Sequence, residues 1–90
     1  GYAREAAETY RQLANSQPAA YQLGLAMSLN NLANRLSEQG DAESRAEALG
    51  CAREAVDIYT ALPEKQRTLF LRKLDIAKKT LARIAGQPQI

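Results

Sequence analysis

The feature that most limits how this chain folds is an internal repeat with a period of 49 residues. The run Arg4 to Ala6 recurs as Arg53 to Ala55, and the same shift aligns further apolar positions without a gap. The aligned pairs are Tyr10 with Tyr59, Leu13 with Leu62, Tyr21 with Phe70, Leu25 with Leu74, Leu32 with Leu81 and Ala33 with Ala82. Because a repeat of this size cannot bury its apolar face alone, neighbouring units must stack to close a core. We therefore predict a single domain over residues 1–90, in which unit 1–41 stacks on unit 50–90.

Four segments carry apolar residues at steps of three and four, which is the spacing of one face of an α-helix. The four stripes are Ala3, Ala6, Tyr10 and Leu13; Tyr21, Leu25, Leu29, Leu32 and Leu36; Ala48, Ala52, Ala55, Tyr59 and Leu62; and Phe70, Leu74, Ala77, Leu81 and Ile84. None of the segments shows the strict alternation of a half-buried strand. We predict an all-α fold with antiparallel helices over residues 2–16, 19–38, 43–61 and 64–85, paired as two stacked hairpins.

The breaks between these segments have local causes. Pro18 can open the second helix, because the first helical position does not need a backbone N–H donor. Gly40 suits the left-handed position that follows a helix. Ser44 with Glu47 three residues later has the spacing of a capping box for the third helix, and Asp41 is a competing cap.

Two runs resemble the tetratricopeptide repeat family, in its kinesin-light-chain-like and bacterial form. The run from Leu29 to Leu36, LNNLANRL, followed by Gly40, resembles the first helix of such a repeat. The run from Glu54 to Tyr59, EAVDIY, resembles the second helix. In the family, a leucine and a small residue of the first helix pack against two small residues of the second. Those roles fall to Leu32, Ala33, Ala48 and Ala55.

The resemblance implies an α-α superhelix with one full repeat and half a repeat on each side. Two departures from the family pattern carry expectations of their own. The spacing from Gly40 to Ala48 is longer than the family usually has, so we expect the loop 41–45 to bulge. Gly86 and Pro88 stand where a further turn would begin, so we expect the fourth helix to cap the array.

A cluster of asparagines on the second helix points to a binding surface. Asn30, Asn31 and Asn34 are poor residues for a helix interior, because their amides compete for backbone hydrogen bonds. The resemblance implies that a concave groove is lined by first-helix residues, and the shift of 49 extends the set to the fourth helix. The candidate groove residues are Met27, Asn30, Asn34, Ile76, Lys79 and Arg83. The alternative is that the asparagines come with the repeat motif and face water.

Charge is distributed unevenly although the net charge is only +2. Residues 1–63 carry five basic and eight acidic side chains, whereas residues 64–90 carry seven basic and two acidic ones. Basic side chains at steps of seven and four share one face of the fourth helix. They are Lys65, Arg72, Lys79 and Arg83. This stripe is consistent with a solvated cap helix, with an acidic protein partner, or with weak nucleic-acid binding through released counterions.

Motifs for catalysis are lacking in the sequence. The chain has no histidine, no Gly-rich phosphate loop and no metal-spaced Cys/His set, so we expect no catalytic, cofactor or metal site. Cys51 lies beside the third apolar stripe, where a packing role competes with that of a reactive thiol. No apolar run approaches the ~18 residues of a membrane span. A chain that begins at Gly1 without methionine suggests a fragment of a longer protein, and the single cysteine fits a reducing, cytoplasmic compartment.

These observations lead to a prediction of function. We expect a scaffold that presents a concave helical groove to a peptide or helix of a partner protein, which can be acidic. A first alternative is a structural spacer, or an element that self-associates through its exposed repeat ends. A second alternative is weak nucleic-acid binding through the basic fourth helix.

Overall fold

Helices account for nearly all of the chain in the computed structural model, which describes residues 1–86. They are α1 (Tyr2–Ser16), α2 (Pro18–Gln39), α3 (Ala42–Thr60), α4 (Glu64–Leu69) and α5 (Leu71–Ala85). No strand occurs between residues 1 and 86. The predicted all-α class is confirmed, and the first three helices end within one residue of the predicted bounds. Pro88, to which we assigned part of the cap, lies outside the described residues.

The predicted single helix over 64–85 is wrong, because the chain leaves helical geometry at Phe70. This residue has φ −110° and ψ 23°, and it ends α4 and begins α5. None of the six side chains of α4 is buried, so packing does not hold α4 in one continuous helix with α5. Phe70 itself packs against the core. The break therefore falls where the apolar stripe of the fourth segment begins.

Proline and glycine delimit α2 as predicted. Pro18 is the first residue of α2. Gly40 follows the last turn with φ 80° and ψ −10°, in the left-handed region where a residue with a Cβ is strained.

Asp41, and not Ser44, caps the start of α3. The backbone N–H of Ser44 donates to an Asp41 carboxylate oxygen at 3.0 Å. The Ser44 hydroxyl is turned inward and donates to Gln39 Oε1 at 2.7 Å. Because this cap lets α3 begin at Ala42, the expected bulge over 41–45 is wrong, and the additional residues extend the helix instead.

Two layers of helices make up the molecule. Arg4 and Arg11 on α1 form bidentate bonds with Glu47 and Glu54 on α3, at N···O distances of 2.6–3.0 Å and 2.7–2.8 Å. Both pairs are 43 residues apart, so α1 and α3 run in the same direction. On the other side α2 packs against α1 and α3, and α5 packs against α3 and touches α2. The thinnest Cα dimension is 14 Å, which fits two helices about 9 Å apart.

The core is narrow because half of it is alanine. Among residues 1–86, eight of the sixteen buried hydrophobic residues are alanines, which lets helix axes approach closely. The four residues predicted to pack across the seam are all buried. They are Leu32 (7% exposed), Ala33 (0%), Ala48 (0%) and Ala55 (0%).

The predicted apolar stripe of α1 is wrong in its buried positions, because Ala3 and Ala6 are only partly buried and the fully buried residues are their neighbours on the helix surface. Ala7 and Ala14 are the buried residues of α1, whereas Tyr10 and Leu13 remain 36% and 38% exposed. The reason is that α1 packs extensively on one neighbour only, α2, and reaches α3 through long charged side chains.

The close approach of α1 and α2 depends on a glycine, which leads to a prediction. A Cβ at Gly24 would lie 2.3 Å from Cε1 of Tyr10, whereas a Cβ at Gly50, which is also inside a helix, would meet nothing within 4 Å. Gly50→Ala should raise the free energy of unfolding by about 0.5–1 kcal/mol through helix propensity. Gly24→Ala should not raise the free energy of unfolding in this way, because the Tyr10 ring must move off the new Cβ and lose its packing there. Urea unfolding followed by circular dichroism measures both changes.

A second background separates the two effects at Gly24. In a Tyr10→Ala chain the obstructing ring is absent, so Gly24→Ala should stabilise that chain about as much as Gly50→Ala stabilises the parent. Equal stabilisation by the two alanine substitutions in the parent chain would contradict the contact between Tyr10 and Gly24.

Candidate functional site

A pocket of about 200 Å³ lies where α2, α3 and α5 meet. It brings together three of the six candidate groove residues, Met27, Asn30 and Ile76. Its other lining residues are Asn31, Tyr59 and Lys73. We call these six residues the α2–α5 pocket.

Two aliphatic side chains from different helices form the apolar part of the α2–α5 pocket. Met27 on α2 is 44% exposed and Ile76 on α5 is 48% exposed. Tyr59 contributes from α3 and is only 3% exposed, so it belongs to the core and borders the pocket from inside. Burial raises the pKa of the Tyr59 hydroxyl, which therefore stays protonated at neutral pH. The pocket thus has an exposed apolar rim, formed by Met27 and Ile76, and a buried aromatic ring, that of Tyr59, at its floor.

The polar part of the α2–α5 pocket consists of amides and one cation. The Oδ1 atom of Asn30 is buried and finds no hydrogen-bond partner within residues 1–86. Lys73, which is partly buried, is the one charged residue that lines the pocket. It forms no ion pair with another described residue. The pocket therefore contains an ammonium group without an ion-pair partner among the described residues, and the Asn30 Oδ1 atom lies buried beneath its surface.

Asn34 and Arg83, which we predicted as groove residues, bind each other. The Arg83 guanidinium donates to Asn34 Oδ1 and, at 3.5 Å, to Ser37 Oγ. The Ser37 hydroxyl in turn donates to the Asn34 carbonyl oxygen at 2.8 Å. This network ties α5 to α2 beside the α2–α5 pocket. Both residues are therefore positioned to hold α2 and α5 together.

Lys79 also lies outside the α2–α5 pocket. Its side chain is 77% exposed and pairs with Asp75, one turn earlier, at 3.0 Å. An exposed pair of this kind contributes little to stability and is screened by salt. Lys79 therefore supplies positive charge on the exposed surface of α5 and is not held in a fixed position.

The sequence reasoning missed Lys73 and Tyr59 as pocket residues. Lys73 lies three residues before Ile76, so helical spacing places both on one face of α5, and this signal was available. Tyr59 was assigned to the core of α3, which is correct, but its edge also borders the pocket. No feature of the sequence tells which part of a buried ring faces a cavity.

A larger recess, of about 830 Å³, lies between α1 and α2. Asn31 lines both this recess and the α2–α5 pocket, so the exposed face of α2 has a hollow on each side. The recess is lined by Gly1 and Tyr2 at the start of α1 and by the last turns of α2. Asn34 is its one predicted groove residue, so the smaller pocket remains the candidate site.

Cys51 has the environment of a packing residue. It is partly buried on α3, and burial raises the pKa of its thiol, an effect that the nearby carboxylates of Glu47 and Glu54 strengthen. A thiol with a raised pKa is protonated at neutral pH and is a weak nucleophile.

The network of Asn34 and Arg83 leads to a prediction about stability. Asn34→Ala and Arg83→Gln should each destabilise the chain slightly, and the double variant should lose less than both together. We expect a coupling energy of about 0.5–1 kcal/mol, because the pair is partly exposed. Urea unfolding of the four chains at pH 7 measures it. Asn34→Ala with Lys79→Gln is the control and should be additive, so additivity in both cycles would contradict the network.

Within residues 1–86, no three His, Cys, Asp or Glu side chains lie close enough together to hold a metal ion. No helix in the described part of the chain is long and apolar enough to cross a bilayer. Comparison of the chain with protein-family models, with curated proteins and with solved structures finds no match.

Proposed function

We propose that the chain is a helical-repeat module of the tetratricopeptide type, which binds a segment of a partner protein at the α2–α5 pocket. The observation that carries this proposal is the exposure of Met27 and Ile76, 44% and 48%, on two helices that line one pocket. Exposed aliphatic side chains that converge beside unused polar groups are typical of a binding site. Affinity comes from these apolar anchors, and charge sets orientation and association rate.

Corresponding positions in the two halves support the assignment to stacked repeats. Tyr10 packs on Gly24 between α1 and α2. Their counterparts 49 residues later, Tyr59 and Lys73, line one pocket between α3 and α5. Asn34 and Arg83, which join α2 to α5, are themselves 49 residues apart. Pairs of residues related by the repeat shift thus occur at two places between helices, and this supports the proposal of stacked hairpins.

The open face of α1 favours a second candidate function, self-association. Tyr59 and Leu62 on α3 are 3% and 5% exposed. Their counterparts on α1, Tyr10 and Leu13, are 36% and 38% exposed, and Tyr2 at the start of α1 is 86% exposed. Because α3 has helices on two sides and α1 mainly on one, α1 presents apolar surface that another helix can cover.

Self-association through α1 predicts a concentration-dependent mass. In sedimentation equilibrium, the weight-average mass of the parent chain should rise above 9.9 kDa as concentration increases. Leu13→Glu should lower this rise, because it places a charge on the open face of α1. Ile76→Ser, on the other layer, is the control and should leave the mass unchanged. A monomeric parent chain at all concentrations would exclude this candidate.

Nucleic-acid binding receives less support from the contacts of the basic residues. The guanidinium of Arg67 donates to the Thr60 carbonyl oxygen at 3.3 Å, at the end of α3. Arg83 is bound to Asn34, and Lys79 is paired with Asp75. Arg67 and Arg83 must release these contacts before they neutralise a phosphate, whereas the exposed pair of Lys79 and Asp75 is screened by salt and is a small obstacle.

Selection from a displayed peptide library tests the proposed function. Peptides enriched on the parent chain should bind Ile76→Ser about 10–100-fold more weakly, because an apolar anchor is lost. Leu71→Ser is the matched control: Leu71 is on the same helix and 54% exposed, but it does not line the pocket. Circular dichroism verifies that both variants are folded. Equal binding to both variants, or failure to enrich any peptide, would argue against the proposal.

A further inference from the structure

We infer that the chain binds the surface of an anionic lipid bilayer through the turn between α4 and α5, with two leucines inserted at the acyl boundary and nearby cations at the headgroups. We call residues 65–72 the α4–α5 corner. None of them lines the α2–α5 pocket, so the inference does not rest on the proposed function. Three features carry it: two exposed leucines, the positive charge around them, and the different chemistry of the corresponding turn in the first unit.

The α4–α5 corner exposes two leucines. Leu69, the last residue of α4, is 78% exposed, and Leu71, the first residue of α5, is 54% exposed. Between them Phe70 packs against the core. Neither leucine lines the α2–α5 pocket or the recess between α1 and α2. Exposed leucines that lie outside both hollows suit a medium that deforms around them, such as the acyl boundary of a bilayer.

Cations accompany the two leucines. Lys65 lies one helical turn before Leu69, and Arg72 directly follows Leu71. Both cations are exposed, and neither forms an ion pair with another described residue. An anionic bilayer binds such a surface because apolar side chains enter below the headgroups while basic side chains stay among them.

The distribution of charge along the chain orients the α4–α5 corner toward an anionic surface. Residues 64–90 carry seven basic and two acidic side chains, whereas residues 1–63 carry five basic and eight acidic ones. An anionic bilayer therefore attracts the part of the chain that contains the corner and repels the remainder.

The first unit shows that this turn forms without leucines or cations. At the shift of 49 residues, Leu69 and Leu71 correspond to Ala20 and Gln22, which are also exposed. Residues 16–23, which correspond to the α4–α5 corner, contain no charged side chain. The exposed leucines and the cations are therefore not needed to build a turn at this place in the repeat, and they are available for a role at the surface.

Aliphatic side chains favour a bilayer over a nucleic acid. Bases of single-stranded nucleic acids stack on aromatic rings, and the one aromatic ring of the α4–α5 corner, that of Phe70, packs against the core. A phosphate backbone would engage Lys65 and Arg72 but would leave both leucines in water. At the acyl boundary the same leucines leave water, which is favourable.

Cosedimentation with unilamellar vesicles tests the inference on the full chain. Vesicles of phosphatidylcholine alone are compared with vesicles that contain about 30% phosphatidylserine. We expect binding to the anionic vesicles to be at least about tenfold tighter than to the neutral ones, because only the anionic surface attracts the cations. Binding to the anionic vesicles should fall as salt is increased.

Exposure-matched variants test the leucines. Leu69→Ser should weaken binding to the anionic vesicles about tenfold, because an inserted apolar side chain is lost. Tyr2→Ser is the control and should bind like the parent chain, since Tyr2 is 86% exposed but lies at the start of α1. Circular dichroism verifies that both variants are folded.

Charge-matched variants test the cations. Lys65→Gln with Arg72→Gln should weaken binding to the anionic vesicles at least about tenfold. Arg35→Gln with Arg53→Gln is the control, because it removes two exposed cations from α2 and α3 and gives the same net charge. Equal weakening in both double variants would refute the assignment of binding to the corner.

A fluorescent probe tests insertion. The chain has no tryptophan, so Leu69→Trp introduces a single indole at the corner. Its emission should shift to shorter wavelength on the anionic vesicles, because the ring moves from water to the membrane interface. Tyr2→Trp is the control and should show no shift.

The remaining outcomes overturn the inference in distinguishable ways. Absence of binding to the anionic vesicles would refute it, while the library selection decides the proposed function at the α2–α5 pocket independently. Binding without a shift of the Leu69→Trp emission, or with full affinity in Leu69→Ser, would refute insertion of the leucines. A single-stranded oligonucleotide that binds as tightly as the anionic vesicles at the same salt would refute the choice of a bilayer.

Discussion

The seam between α2 and α3 is the packing on which the rest of the molecule depends. Five alanines on these two helices have no solvent exposure, and they allow a closer approach than larger residues would. They are Ala26, Ala33, Ala48, Ala52 and Ala55. Among the described residues α2 and α3 make the most extensive helix–helix contact, while α1 packs on α2 and α5 packs mainly on α3. A larger residue at any of these positions would overpack the core and destabilise the chain.

The α2–α5 pocket lies between two helices that pack on each other at few positions. α5 packs extensively on α3 and reaches α2 at few positions, Arg83 with Asn34 being the most defined. Between α1 and α2 the Tyr10 ring lies on Gly24, where a Cβ would collide with it. The corresponding residues 49 positions later are Tyr59 and Lys73, and both line the α2–α5 pocket. The two units therefore differ at this position, with a glycine in the first and a lysine in the second.

Periodicity and turn residues predicted most of the fold, because helix position depends on local sequence. The apolar stripes of α2 and α3, the start at Pro18 and the end at Gly40 were all correct. The break at Phe70 was missed, because no proline or glycine marks it. It is associated instead with the absence of buried side chains in α4. The choice of Asp41 as cap was left open, since both Asp41 and Ser44 have suitable side chains.

The candidate site was predicted less well than the fold. Helical spacing and the family resemblance placed Met27, Asn30 and Ile76 on one surface, and they line one pocket. The same reasoning could not show that Asn34 and Arg83 bind each other, because this depends on the distance between two helices. The hydrogen-bond partner of a long side chain such as Arg83 depends on the positions of the neighbouring helices, which spacing along one helix does not give.

The short helix α4 has a consequence for how unfolding is observed. Since none of its six side chains is buried, melting α4 alone would expose almost no additional apolar surface. The slope of the unfolding free energy against urea concentration scales with the surface that unfolding exposes. The equilibrium for opening α4 would therefore depend very little on urea concentration. Backbone hydrogen exchange, which reports loss of hydrogen bonds and not exposed area, is the measurement sensitive to it.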